Sequence, residues 1–530
     1  MVQEQSNVSY KELMDKGQEL FKEQKYKEAI EVYKLIKVMY GNTLNQNSLA
    51  ALYIRFANAY YSDNDRDKST YYYEEYLKLC PQGQTSVFSR LAHSYYYLDA
   101  DKCVDYHNKA LNLEVTKYDT TSKLFAMTKS SFYEQMDIKN ESEHEIDILK
   151  NHFFKNIQKY NHSEKKKNSN KKLKIGYLSS DCYAHTMMNY IVPIWENHNQ
   201  NEFDFVIFNG AEKSDSTTEK IIKTGIKIVP CSKITEKEIA ELIYNEGVDI
   251  LIDLGGFTHF KSLSAVYKPA PIIISYLGYL NTLGIREFDY ILTDRYTIPE
   301  EYADLYTEKP LYLDKGYQIF AEKTYPEITE APYKTNGYIT YGSFNCSSKF
   351  SDATLFIWSQ LLKKDTTAKL LIYRSQLTKN VIRSLKAKFA KLGIDEERLI
   401  FDSKALSPHY KAYLKADIAL DPYPFSGMSI AIETASMGVP TITLVGEGMQ
   451  SRGAGRINSL IGLDELNASS GEEYIKKALD LAADKEKISM LRQTLRTKVN
   501  NSDIRVSEKE FTQDLESKFK KVWQDFINSP

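Results

Sequence analysis

Cysteine is scarce in this sequence, with five in 530 residues. Cys80, Cys103, Cys182, Cys231 and Cys346 are odd in number, scattered and without CxxC spacing, which argues against a disulfide framework or a zinc site. No run approaches the roughly 18 apolar residues that a membrane helix needs. The first residues, MVQEQSNVSYKELMDKGQ, lack the apolar core of a secretory leader. Neither charge sign dominates: 69 basic and 71 acidic side chains leave a net charge of −2, so nothing demands nucleic acid or an anionic membrane. A triplet that looks like a DxD metal motif, Asp63-Asn64-Asp65, falls in a predicted inter-helix turn, where Asp and Asn are ordinary turn formers. The expectation is a soluble cytoplasmic protein with no metal site, no nucleic-acid partner and no membrane insertion. Its oligomeric state is left open.

What is present is a chain of roughly two to four domains, with 42% hydrophobic residues and 40 tyrosines, fifteen of them before residue 110. That N-terminal part repeats. YKEAIEVY at Tyr26, RDKSTYYY at Arg66 and ADKCVDYH at Ala100 match one another, 40 and then 34 residues apart. The second spacing is the tetratricopeptide length, and the first fits the same unit with a loop inserted near Gly41–Gln46. An unrelated helical bundle is the competing reading. Residues 1–116 are therefore expected to form a helical array whose curved face docks a protein segment. Residues 117–170 are expected to be a helical cap and linker, with SEKKKNSNKK (163–172) a solvated connector.

From Leu173 the pattern alternates strand and helix. KLKIGYLSS, FDFVIFN, the run Asp249–Asp253, Ile272–Tyr276 and Tyr290–Thr293 read as strands, and Thr235 with Glu238 has capping-box spacing. This predicts one doubly wound Rossmann-like domain over 171–325. After a turn-rich stretch a second spans 335–530, closed by an amphipathic helix over Val506–Ile527. In the second, ADIALDPYPFSGMSIAIETASMGVPTITL (416–444) reads as strand, loop, helix and strand. The strand is Asp417–Leu420, and the helix runs from a Ser429 cap to about Met437, stopped by Gly438. It places a helix N-terminus preceded by Gly427 at the C-terminal edge of a parallel sheet, a ready phosphate site. Glu433, one turn in, can accept from both hydroxyls of a ribose. The bland alternative is a capped helix of any α/β fold.

Six blocks resemble glycosyltransferase family 41, the O-GlcNAc transferases with their bacterial and SPINDLY-like relatives. They are IGYLSSDCYAH (175–185), DILIDLGGFT (249–258), KPAPIIISYLGYLNTLGIREFDYILTD (268–294), SFNCSSK (343–349), ALDPYPFSGMSIAIETASMGVP (419–440) and GEGMQSRGAGRINSLIGLDEL (446–466). The resemblance implies a tetratricopeptide array followed by a GT-B fold. It also implies an inverting, metal-independent transferase of protein Ser/Thr hydroxyls that needs no cofactor beyond a nucleotide-sugar donor, UDP-GlcNAc. Carried over residue by residue, Lys349 matches the lysine on the donor diphosphate and His185 the histidine at the sugar–acceptor junction. His409 matches a histidine near the nucleotide, and Gly427, Ser429 and Glu433 the series that holds phosphate and ribose. Ser426 and Arg452 border that series, and His259 is a weaker candidate. Well-known members carry His-Thr-Thr where this chain has Met428-Ser429-Ile430, and aspartate where it has Glu433. These departures bear on donor identity.

Without the resemblance, Lys349 reads as a surface lysine at a helix start, and a histidine after Ser-Ser-Asp is as often structural as chemical. Competing functions are a fucosyl- or hexosyltransferase using GDP-fucose or UDP-glucose, a repeat-based binding protein with a decayed catalytic domain, and another GT-B enzyme such as a sugar epimerase. The retained Lys349, His185 and Glu433 weigh against decay.

Overall fold

The computed structural model describes residues 9–96, 98–113, 135–154, 157–167, 172–258, 260–320, 323–375 and 377–529. The chain divides into two compact units, residues 1–125 and 126–530.

In the first unit the expected helix pairs form: Tyr10–Lys22 with Tyr26–Tyr40, Gln46–Ser62 with Arg66–Leu79, and Thr85–Tyr95 with Ala100–Asn112. Their apolar stripes meet in a core of Leu13, Ile30, Tyr33, Ile36, Leu52, Phe56 and Tyr60. Polar side chains set the turns. Asp65 and Asp99 cap the second helices of their pairs by accepting from Lys68 N and Lys102 N, so the Asp63–Asp65 triplet is turn chemistry as expected. Several tyrosines serve as core: Tyr33 and Tyr73 are fully buried, and Tyr72 stacks 4.4 Å from Phe56.

The second unit holds two parallel sheets. The first lobe contains β1 (Leu173–Ser179), β2 (Phe203–Asn209), β3 (Lys227–Pro230), β4 (Ile250–Asp253), β5 (Ile272–Ser275), β6 (Tyr290–Thr293) and β7 (Lys309–Tyr312), in the order β3-β2-β1-β4-β5-β6-β7. The second contains β8 (Thr340–Ser343), β9 (Lys369–Tyr373), β10 (Leu399–Asp402), β11 (Ile418–Leu420), β12 (Thr441–Leu444) and β13 (Asn467–Ala468), in the order β10-β9-β8-β11-β12-β13. Central strands are buried along their length, with Tyr177 opposite Ile207 and Ile252. Strand order reverses between β1 and β4 in the first sheet and between β8 and β11 in the second. Crevices for ligands open outside the strand ends at such points.

Four expectations change. The edge strands β3, β7 and β13 escaped sequence reading because they are short and, in β3, wholly outside the buried core. The Gln135–Phe153 helix is part of the second unit, where Gln135 Nε2 donates to Asn281 Oδ1 and Lys150 pairs with buried Glu287; residues 117–134 of the expected cap lie outside the described residues. The lysine-rich connector is not free in solvent. Its Ser163–Lys167 turn sends Lys165 Nζ to Gly247 O, Val248 O and Asp249 Oδ1, because a carboxylate that deeply buried needs a counter-charge; residues 168–171 lie outside the described residues. Finally, the closing helix, Glu508–Asn528, packs on the first lobe although it follows the second in sequence. Phe519 meets Phe203 edge-on, and Glu516 Oε1 accepts from Asn199 N and lies 3.0 Å from His198 Nδ1.

Candidate active site

At the first switch point, β1 ends and the chain turns through Asp181 to His185. Asp181 is buried. The half-exposed His185 ring places Nδ1 3.5 Å from Asp181 Oδ2 and 3.3 Å from Met187 N. Beside it, β4 ends in Asp253, whose two oxygens accept from Gly255 N and Gly256 N and fix the glycine turn that follows. His259 lies outside the described residues.

At the second switch point, the turn after β8 brings up Lys349 and the loop after β11 brings up Ser426 and Gly427. Lys349 Nζ donates to Ser426 O at 2.8 Å and sits 3.9 Å from the Phe425 ring centroid. Burial pushes its pKa down to about 8 against the pull of Asp421. Lys349 is thus a partly buried crevice group rather than a surface lysine. A Cβ at 427 would lie 2.3 Å from Asn345 Oδ1, so a larger residue there would require the Asn345 side chain to shift.

The helix after Gly427 runs Met428–Ser436 and has no side-chain cap. This corrects the expected Ser429 cap: Ser429 lies inside the first turn, and its Oγ is 2.8 Å from Tyr190 Oη of the first lobe. The first turn leaves the N–H groups of Met428, Ser429 and Ile430 without intrahelical partners. The Gly427 N–H is different; it donates to Asp421 Oδ1 at 2.8 Å. Ser426 is likewise turned inward, its hydroxyl donating to Asp421 Oδ2 and accepting from Ala454 N.

Glu433 is 7% exposed and already engaged. Oε1 accepts from Lys323 Nζ at 2.9 Å, and Oε2 accepts from Tyr413 Oη at 2.6 Å and lies 3.3 Å from His409 Nε2. Burial raises the carboxyl's pKa, but the His409, Lys323 and Tyr413 contacts outweigh it and bring it to about 2. Three protein groups therefore already surround this carboxylate. His409 joins this cluster. Arg452 does not: its guanidinium donates to Tyr296 O and Gly446 O and bolts the lobes together, as does the buried Arg456–Asp294 pair at 2.6 Å.

Sequence reading missed Asp421, Tyr190, Lys323 and Tyr413. Asp421 had a signal, a carboxylate at the C-terminal end of a buried strand. Tyr190 and Lys323 had none, because each meets its partner across more than 100 residues of chain.

The Tyr190–Ser429 contact links the helix that follows β1 and the His185 loop to the helix that follows Gly427, bringing the two switch-point segments together. The glycosyl transferase family 41 model matches residues 143–330 and 328–515, both lobes. The chain belongs to glycosyltransferase family 41. Among curated relatives, the probable UDP-N-acetylglucosamine–peptide N-acetylglucosaminyltransferase SPINDLY of Oryza sativa subsp. japonica is 30% identical over 389 residues, 71% of this chain and 41% of that protein. The corresponding SEC protein of Arabidopsis thaliana is 28% identical over 342 residues, covering 62% of this chain and 34% of its own length. The chain thus spans well under half of the curated relatives it matches. A mutant O-GlcNAc transferase from Thermobaculum terrenum shares the fold, with a TM-score of 0.80, 22% identity and 98% of each chain covered. No helix among the described residues is long and apolar enough to cross a membrane.

Proposed function

We propose that this family 41 protein is an inverting, metal-independent protein O-glycosyltransferase that transfers GlcNAc from UDP-GlcNAc to Ser/Thr hydroxyls. The observation that carries this reading is the Tyr190–Ser429 contact, which ties the segment just after the His185 loop of one lobe to the first turn of the helix after Gly427 in the other, beside the Lys349–Ser426 hydrogen bond. Transfer is one in-line displacement. The acceptor oxygen bonds to the anomeric carbon as the bond to the β-phosphate oxygen breaks, the hydroxyl proton leaves to a base, and the nucleotide departs as the diphosphate. Charge develops on the departing phosphate, and fixed positive groups there give the largest effect. Lys349 and the N–H groups of Met428, Ser429 and Ile430 suit that role. His185, with Asp181 behind it, suits the acceptor hydroxyl. Glu433 with His409 suits the ribose.

The departures at Met428-Ser429-Ile430 and Glu433 favour, as a second reading, GDP-fucose or UDP-glucose as donor. Thermal unfolding with UDP and with GDP decides between nucleotides. At about 100 times its dissociation constant, UDP should stabilise the protein by roughly 2.7 kcal/mol, and GDP by less. Stabilisation by GDP alone excludes UDP-GlcNAc. Mass shifts of co-expressed proteins then identify the sugar.

A further inference from the structure

We propose that Asp421, at the C-terminal end of β11, is a positioning residue that keeps Lys349 an ammonium and turns the phosphate loop towards the crevice. The proposal rests on the donor-site reading above and deepens it. A buried carboxylate behind a phosphate loop is unexpected, since it would repel the diphosphate the loop is there to bind.

Its surroundings resolve the conflict. Asp421 is 3% exposed. Oδ2 accepts from Ser426 Oγ at 2.6 Å and Thr443 Oγ1 at 2.8 Å, while Oδ1 accepts from Gly427 N at 2.8 Å and, more weakly, Asn345 Nδ2 at 3.5 Å. Burial pushes its pKa above the ordinary aspartate value, with the Ser426, Gly427 and Thr443 hydrogen bonds and Lys349 pulling the other way. Two amide donors and two hydroxyls converge on it, and a protonated carboxyl would have to give one of them up, which favours the ionised form. Capturing the Gly427 N–H and the Ser426 hydroxyl fixes the loop with the Ser426 carbonyl on Lys349 Nζ. It leaves the next N–H groups of the helix to the ligand.

Lys349 is faced by Asp421 from the loop after β11, Cys346 from its own turn and Arg374 from the end of β9. Asp421 is the only carboxylate of the three. Burial lowers the lysine to about 8; Asp421 and Cys346 pull it up, and Arg374 pushes it down. The sign follows. Lys349 carries its charge below its own pKa and loses it as pH rises through that value. Removing the Asp421 charge moves the loss to lower pH, leaving a larger neutral fraction at neutral pH and less charge to meet the departing phosphate.

The test titrates Lys349 directly. The full chain, without donor, is pulse-labelled with acetic anhydride between about pH 6 and pH 10, a range that brackets a depressed lysine, and acetylation of the Lys349 peptide is read by mass spectrometry. The parent should show a midpoint near pH 8. Asp421→Asn and Asp421→Ser, of which either folded variant suffices, should each lower it by about one unit, the scale of one neighbouring charge. Thr443→Val removes one donor but keeps the charge, and its midpoint should stay near the parent's. An Asp421 variant that folds with an unchanged midpoint overturns the proposal. So does a Thr443→Val midpoint displaced as far as the charge-removing variants, because loop geometry would then be responsible. The labelling needs no donor, so it reports whether or not the transferase reading holds; calorimetric titration of the parent with UDP tests that reading separately.

Discussion

Lys349 and Lys323 are both partly buried lysines, and their environments drive them in opposite directions. Lys349 has burial against it and no ion pair on its ammonium, and is held at about 8. Burial lowers Lys323 too, but the Glu433 carboxylate outweighs it and raises the pKa above the ordinary lysine value. Lys349→Ala should leave the circular dichroism spectrum unchanged while turnover at saturating donor falls by about 100- to 1000-fold, the usual loss for one donor to a developing anion. A fall of under about threefold, far short of that loss, would remove Lys349 from the leaving group. Lys323→Met should act on stability. Glu433 is depressed to about 2 in the folded protein, so its contribution is complete above the unfolded carboxyl value and fades as pH falls from about 4.5 towards 2. Urea unfolding should show Lys323→Met less stable than the parent at pH 7, and the gap should close below about pH 4.5. Glu433 was singled out by its place one turn into the helix after Gly427, and Lys349 by its family block. Their partners were not, because Lys323 and Tyr413 reach Glu433 from different segments of chain.

The closing helix shows how element and lobe can part company. Its apolar residues Phe511, Leu515, Phe519 and Val522 are buried, and periodicity alone predicts a helix with that face. Periodicity does not say which sheet the face covers, and here the helix returns to the first lobe through Phe203 and His198. Phe519→Ala should therefore cost about 3–5 kcal/mol, and the cost should fall on the first lobe. Hydrogen exchange should quicken in β1 and β2 while β8 and β11 keep their protection; the reverse pattern would place the helix with the second lobe. The central strands were legible because burial on both faces imposes a continuous apolar run. The edge strands β3, β7 and β13 carry no such run and are defined by pairing with a neighbour.

At the scale of the whole molecule, the paired-helix array and the two-sheet region are separate compact units, dividing at residue 125. On the proposed function, removing residues 1–125 should leave donor binding and slow hydrolysis of the nucleotide sugar intact, since the crevice groups all lie in the second unit. Transfer to an intact acceptor protein should fall by about 100-fold or more, the scale at which a tethered docking surface raises effective concentration. A truncated protein that hydrolyses donor and modifies the acceptor as fast as the parent would show that the array does not dock it. Mass spectrometry of the acceptor measures the one and nucleotide release the other.

The sequence by itself determined the repeat of paired helices, the alternation that makes two parallel sheets, and the blocks that mark the family. These depend on local periodicity, on turn residues such as Asp65 and Asp99, and on Gly427, all of which act within a few residues. Tertiary structure alone decided that Ser426 and the Gly427 N–H turn inward to Asp421, that Glu433 is already ringed by Lys323, His409 and Tyr413, and that the last helix belongs to the first lobe. Arg452 likewise became an interlobe bolt. The physical reason is common to all of them. A buried polar group must find its partner wherever the fold brings one within about 3 Å, and that pairing is set by packing between segments far apart in the chain, on which local sequence pattern is silent.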